Sequence, residues 1–140
     1  MDIKVQEYIT AQPADRQSIL SGIHSVIVEG DKTVIPVVKP MMGKQMIIYE
    51  DRSFMKYALA GVKNYMSLHV LPIYGSKVLF SKYQTLLPAA KFQKGCINFN
   101  TAEEIPLEIL AQLISDCSTI DLLKIRDNYL KGKKQSKSKK

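Results

Sequence analysis

Hydrophobic and polar residues alternate with a period of two through the middle of the chain, between Met46 and Tyr74. Alternation of this kind is typical of β-strands that bury one face. It runs through residues 46–50, 54–60 and 63–71, and the connections between these segments are short enough to be hairpin turns. The pattern therefore predicts a meander of three antiparallel strands.

The same alternation assigns the side chains of each predicted strand to two faces. The first strand divides into Ile47 and Tyr49 against Met46, Ile48 and Glu50. The second divides into Met55, Tyr57 and Leu59 against Phe54, Lys56 and Ala58, and the third into Met66, Leu68 and Val70 against Tyr65, Ser67 and His69. The sequence leaves open which faces align across the strands, because a shift of one residue inverts the pattern.

On both sides of the meander, apolar residues recur every three or four positions, which predicts amphipathic helices. The helical segments are residues 2–10, 14–28, 76–87, 107–114 and a last helix that ends near residue 130. Further strands are predicted at 33–38, where Pro36 favours an edge strand or a bent segment, and at 94–100. Residues 40–43 are predicted to form an apolar loop. Because the strands cluster between terminal helices, we expect an α+β fold with an N-terminal helix, a mainly antiparallel sheet and C-terminal helices.

The formal net charge of +7 is concentrated at the C-terminus, because the last ten residues contain six lysines. Residues 1–130 are predicted to form a single domain, and residues 131–140 a disordered Lys-rich tail that buries too little apolar surface to fold. We expect this tail to be solvated, with no specific nucleic-acid binding. We expect neither a signal sequence, because the first residues form no apolar run, nor a membrane span, because no stretch approaches the roughly 20 apolar residues that a span needs. The expected protein is cytoplasmic, with reduced cysteines.

The common catalytic motifs are missing from the sequence. It has no Gly-rich phosphate-binding loop, no HExxH or GxSxG motif and no pair of CxxC motifs. Two histidines are too few for a His-rich metal centre. We therefore expect a protein without catalytic activity.

Tyrosines and a histidine on the meander form the best candidate for a binding surface. A row of phenol and imidazole groups would provide stacking and hydrogen bonds to a ligand. The candidate ligand-binding residues are Tyr49, Tyr57, Lys63, Tyr65, Ser67 and His69. The alternative is that the chain's own helices cover this face, so that the tyrosines belong to the core.

Two other features have both a structural and a functional interpretation. His24 lies on the apolar stripe of the second helix, and we interpret it as a packed or surface histidine, because no metal-binding partner is near it in sequence. Met41 and Met42 are interpreted as residues that fill gaps in the core. A soft-metal site there would need more sulfur or imidazole close by.

Several segments of the chain resemble the YdhG-like family of domains of unknown function. They are Tyr8-Ile9, Pro13, Arg16 and Leu20 in the leading helices, the run FMKYALAGVKNYMSLHVLPIY, the segment KGCINF, and Ile105-Pro106. The most specific part is the pattern A-x-x-K-x-x-x-S-L-H, formed by Ala60, Lys63, Ser67, Leu68 and His69. The resemblance extends from about Tyr8 to about Ile114, and it departs from the family pattern in the segment TVIPVVKPMMGK and at Tyr65.

The resemblance implies a frataxin-like fold in a bacterial cytosolic protein, because the family is similar in fold to frataxin. It also implies iron binding and delivery by an intracellular iron chaperone, with iron–sulfur assembly proteins as partners. Iron favours carboxylate oxygens, and the candidate metal ligands are Asp15, Glu29 and Asp31. The alternative function is a small-molecule or protein-binding module that uses the Tyr/His face of the sheet.

Overall fold

The computed structural model describes residues 2–93 and 95–125, which form an α+β fold. Its helices are α1 (Ile3–Thr10), α2 (Ala14–Gly30), α3 (Leu71–Tyr74), α4 (Lys77–Leu86) and α5 (Leu107–Ser118), with a 3-10 helix at Ala102–Glu104. Its strands are β1 (Ile35–Met41), β2 (Lys44–Asp51), β3 (Phe54–Gly61), β4 (Met66–Val70), β5 (Lys91–Gln93) and β6 (Cys96–Phe99). The predicted Lys-rich tail and the end of the last predicted helix lie outside the described residues.

The six strands form one antiparallel sheet in the order β1-β2-β3-β4-β6-β5. The first four strands follow one another directly, which confirms the predicted three-strand meander and adds β1 to it. β1 lies at the edge of the sheet, as Pro36 predicts, because proline has no N–H to donate to a further strand. The predicted fold class is confirmed: helices at the N-terminus, an antiparallel sheet, then C-terminal helices.

Tight two-residue turns connect β1 to β2 and β2 to β3. Met42 and Gly43 form the first turn and Arg52 and Ser53 the second, and their φ angles are 53°, 80°, 51° and 72°. Two consecutive residues of positive φ give the hairpin turn whose twist matches that of the flanking strands. The prediction of a loop at residues 40–43 was wrong in its first half, because β1 continues to Met41, which pairs with Lys44.

The longer helices pack against one face of the sheet, and the main core lies between them. Buried residues of α2 and α5, such as Ile23 and Leu113, belong to one apolar cluster with Leu59 and Leu68 of the sheet. We call the helix-covered side the inner face and the other side the outer face. In the described part of the chain, no helix has the length and apolar character to cross a membrane.

A β-bulge in β3 changes which side chains reach the inner face. Tyr49 pairs with Tyr57 and Glu50 pairs with Met55, so that Lys56 is an extra residue between the two pairs. A bulge of this kind sets two successive residues opposite one residue of the partner strand. The predicted alternation of residues 54–60 was therefore wrong at its start: Lys56 is buried with Tyr57, and Met55 packs on the outer face with the cluster that contains Ala58.

The extra residue completes a buried ion pair with the end of α2. Lys56 Nζ lies 2.8 Å from Asp31 Oδ2, and the two side chains are 1% and 0% exposed. Within the described chain Lys56 Nζ makes no hydrogen bond of good geometry, so the contact is ionic. Asp31 also accepts hydrogen bonds from Tyr57 Oη at 2.7 Å and from Thr33 N at 3.0 Å.

These contacts keep the Asp31 carboxylate charged in the interior. Burial acts to raise the pKa of Asp31, because it disfavours the charged form. The contacts with Lys56, Thr33 and Tyr57 together outweigh burial, and the pKa lies below its usual range. The pair therefore ties the loop after α2 to the bulge in β3.

Replacing Lys56 with methionine should destabilise the fold strongly. Methionine keeps most of the side-chain volume but leaves the Asp31 carboxylate buried without a counter-charge, which costs about 3–5 kcal/mol in the free energy of unfolding. Urea unfolding followed by circular dichroism measures the loss.

Lys39→Met is the matched control, because Lys39 pairs with Glu50 with its own side chain 50% exposed. Loss of an exposed ion pair should change the free energy of unfolding by less than about 1 kcal/mol. Equal effects of the two substitutions would show that the buried charge pair is not a main source of stability.

Candidate functional site

Strand register divides the six predicted ligand-binding residues between different parts of the molecule. Tyr57 lies opposite Tyr49 on β2 and opposite Val70 on β4, and all three face the helices. Ser67 and His69 lie opposite Ala60 and Ala58, with side chains on the outer face. The expected single row of phenol and imidazole groups is therefore split between the two faces.

Tyr49 and Tyr57 are core residues whose hydroxyl groups have partners on α2 and in the loop after it. Both are 0% exposed. Tyr49 Oη lies 2.7 Å from His24 Nδ1, and Tyr57 Oη donates to Asp31. Burial raises the pKa of both phenols, so they stay neutral. For these two tyrosines the structure follows the alternative of coverage by the chain's own helices, and buried His24 is the packed histidine that the sequence predicts.

Lys63 and Tyr65 belong to the connection between β3 and β4. Arg16 on α2 holds this connection, because its guanidinium donates to the carbonyl oxygens of Val62 and Lys63. The Lys63 side chain is exposed at the turn. Tyr65 is 40% exposed and lines a depression on the outer face together with Ser67 and His69. These three residues therefore share a face, as the alternation predicts.

The three predicted metal-binding carboxylates do not come together. Asp15 is exposed in the first turn of α2, and Asp31 follows the last residue of that helix. Seventeen helical residues correspond to a separation of about 25 Å. Glu29 is exposed near Asp31, but the Asp31 oxygens are already engaged by Lys56, Tyr57 and Thr33. Among the residues that the structure describes, no three His, Cys, Asp or Glu side chains are grouped to hold a metal.

Small side chains form a shallow trough along the outer face. Ala58 and Ala60 on β3 and Ser67 on β4 are buried. The two alanines form an apolar cluster with Met46 and Ile48, and half-buried residues pack against it, namely Val37, Met41 and Met55. All of these residues belong to strands, so side chains of the sheet itself shield the trough.

A cleft of about 780 Å³ opens beside this trough. Its walls come from the start of β3, the end of β4, α3 and the turn between β5 and β6. The lining residues are Met55, His69, Leu71, Tyr74, Gln93, Gly95 and Cys96. We call this space the His69 cleft. Its volume lies within the range of small-molecule sites in proteins, about 300–1,000 Å³.

His69 and Cys96 form a thiol–imidazole pair in the wall of the cleft. They are directly opposite each other on β4 and β6, and Cys96 Sγ lies 3.0 Å from His69 Nδ1. Burial lowers the pKa of His69 and raises the pKa of Cys96, so both groups are neutral near pH 7. In the tautomer protonated on Nε2, the thiol donates to Nδ1. A neutral thiol is a poor nucleophile, and the pair is suited to hydrogen bonding.

Gly95 allows α3 to approach the turn between β5 and β6. Its carbonyl oxygen accepts a hydrogen bond from Val70 N at 2.7 Å, and a Cβ at this position would lie 3.2 Å from Tyr74 Cβ. The close approach leaves the Tyr74 side chain, which is 66% exposed, at the rim of the cleft.

The sequence identifies His69 as a candidate but misses Met55, Tyr74 and Cys96 as its neighbours. Strict alternation assigns Met55 to the wrong face, because the pattern of apolar and polar residues in the sequence gives no sign of the bulge. Cys96 alternates with Ile97 in the predicted strand at 94–100, and this signal sets it on the face away from the core. Its position beside His69 becomes apparent only when β4 pairs with β6.

Comparison with protein-family models, with curated proteins and with solved structures gives no match to this chain. The resemblance to the YdhG-like family therefore stays a prediction. Two of the residues that suggest it have structural contacts at the start of the connection between β3 and β4. Arg16 binds the carbonyl oxygens there, and Tyr8 Oη accepts a hydrogen bond from Gly61 N at 3.0 Å.

Stability should fall as the pH is lowered from about 7.5 to about 5.5. Burial lowers the pKa of both histidines, so the unfolded chain, in which histidine titrates near about 6.5, takes up protons before the folded chain does. The stabilisation is complete above the unfolded pKa and is lost as the pH falls toward the folded pKa. Urea unfolding at the two pH values measures the difference.

The variant His24→Gln separates the contributions of the two histidines. It should lose part of this pH dependence, and His69 should account for the rest. Asp31 does not contribute in this window, because its lowered pKa acts only below about pH 4. A pH dependence that is unchanged in the variant would contradict the assignment to His24.

Proposed function

We propose that this chain is a binding protein without catalytic activity, and that its ligand is a neutral, largely apolar small molecule held in the His69 cleft. The observation that carries the proposal is the combination of a cleft of about 780 Å³ with a lining of uncharged side chains. Met55, Leu71 and Tyr74 supply apolar surface. His69, Cys96 and Gln93 supply hydrogen-bonding groups that fix the orientation of a ligand.

Charge argues against an ionic ligand in this cleft. No Asp, Glu, Lys or Arg side chain is among the lining residues that the structure describes. A charged group would lose its hydration without gaining a partner of opposite charge, which is unfavourable. A ligand with an alcohol, amide or carbonyl group can instead exchange a hydrogen bond with the neutral His69–Cys96 pair.

The methionines near the cleft allow it to accept ligands of different shapes. Met55 lines the cleft, and Met41 and Met46 line the adjoining depression that shares His69 and Cys96. Methionine side chains are unbranched and polarizable, and surfaces rich in them adapt to different partners. This supports the small-molecule alternative that the sequence predicts, with the ligand on the outer face.

Iron delivery, which the family resemblance implies, stays a separate prediction. Asp15 and Asp31 lie at opposite ends of α2, and Asp31 is fully buried. The carboxylates named from the sequence therefore provide no argument for preferring iron as the ligand.

Binding is tested with phenylbutanol and its carboxylate analogue phenylbutyrate, followed by NMR of isotope-labelled methionine methyl groups. The alcohol should shift the Met55 methyl resonance, and Met66 serves as an internal control because it is buried on the inner face. The carboxylate should bind more weakly, because the cleft offers it no cation.

Two tyrosine variants locate the binding site. Tyr74→Ala removes an aromatic wall and should weaken binding of the alcohol about three- to tenfold. Tyr65→Ala is the matched control, because Tyr65 is exposed on the same face but does not line the cleft. A methyl shift confined to Met66, or equal effects of the two variants, would reject the proposed site.

A further inference from the structure

Soft donor atoms are concentrated on the outer face of the sheet. Four of the chain's six methionines line either the His69 cleft or the adjoining depression, and both of these contain His69 and Cys96. The four are Met41, Met42, Met46 and Met55. One imidazole, one thiol and several thioethers thus share one surface, which supplies the additional sulfur and imidazole that a soft-metal site near Met41 and Met42 requires.

The depression that contains most of these groups has no carboxylate among the lining residues that the structure describes. Besides the sulfur and imidazole groups, its lining consists of amide, hydroxyl, apolar and Lys44 side chains. Hard cations such as Mg²⁺ and Ca²⁺ take carboxylate and carbonyl oxygens, whereas thiolate and thioether ligands select Cu(I). The donor set therefore distinguishes the class of metal.

We propose that Cys96 Sγ, His69 Nδ1 and one thioether of the outer-face methionines bind a monovalent soft cation, for which Cu(I) is the natural candidate. The site goes beyond the small-molecule function and does not depend on it. Binding replaces the hydrogen bond between the thiol and the imidazole by two metal–ligand bonds. The thiol proton passes to solvent, the imidazole stays neutral, and the copper remains Cu(I) throughout.

The geometry of the pair needs only a small adjustment. A metal with bond lengths of about 2.3 Å to sulfur and about 2.0 Å to nitrogen holds the two atoms about 3.7 Å apart at a trigonal angle. Cys96 Sγ and His69 Nδ1 are 3.0 Å apart. Side-chain rotations at two facing strand positions can supply the difference, because Ala58, which lies opposite His69 on β3, is small.

Titration of the full chain with Cu(I) under anaerobic conditions, against a competing Cu(I) chelator, tests the proposal. We expect one equivalent to bind, with a near-ultraviolet charge-transfer band from the thiolate and release of about one proton. A supporting residue of a metal site typically contributes about 10–100-fold in affinity, so Cys96→Ser, which removes a ligand, should cost about 100-fold or more. Cys117→Ala is the matched control, because Cys117 is fully buried on the inner face.

Methionine variants distinguish this site from the small-molecule site. Replacement of Met41 and Met46 by leucine keeps apolar volume, and both residues line the depression but not the His69 cleft. It should leave phenylbutanol binding nearly unchanged while weakening Cu(I) binding, and Met66→Leu should change neither. The methyl resonances of the wild-type chain provide a second measurement that requires no variant to fold. Cu(I) should shift at least one outer-face methionine and leave Met66 in place. Undiminished binding by Cys96→Ser, or tighter binding of Fe(II) than of Cu(I), would overturn the proposal.

Discussion

The buried ion pair between Lys56 and Asp31 is the contact on which the arrangement of both faces depends. A lysine in a strand reaches the helix-covered face only if the alternation of the strand allows it, and here the bulge opposite Tyr49 provides the change of phase. The same bulge turns Met55 toward the outer face, where it lines the His69 cleft. One extra residue in β3 thus supplies a counter-charge to the inner core and an apolar wall to the candidate site.

The two faces of the sheet use aromatic and polar residues in different ways. On the inner face, Tyr49 and Tyr57 are buried, and His24 and Asp31 satisfy their hydroxyl groups. These tyrosines link the sheet to α2 and the loop after it, and their contacts are complete within the chain. On the outer face, small residues on β3 leave a trough, and the groups around it include several thioethers, a thiol and an imidazole. The candidate site is therefore rich in sulfur, and its two tyrosines, Tyr65 and Tyr74, are exposed rather than buried.

Much of the fold can be predicted from periodicity alone, and the elements that this prediction misses have identifiable physical causes. The meander, the edge position of β1, and the helices α1, α2 and α4 follow from patterns that are local in sequence. The short elements β5 and α3 have three and four residues, too few for a period to appear. The candidate site is predicted less well, because it depends on register between strands distant in sequence. His69 and Cys96 are 27 residues apart along the chain, and no local pattern indicates that they face each other.

Neutrality of the His69–Cys96 pair connects the two proposals for the outer face. Burial disfavours both the imidazolium and the thiolate, so the free site is uncharged and accepts a neutral ligand without a desolvated charge in its wall. Hard cations require charged oxygen ligands, and among the described residues that line the depression beside this pair there is no carboxylate. A soft monovalent cation is different, because its charge is cancelled by the thiolate that it creates. The metal-bound site is then neutral, as the free site is. An apolar face of the sheet can hold both states, because neither places a net charge away from water.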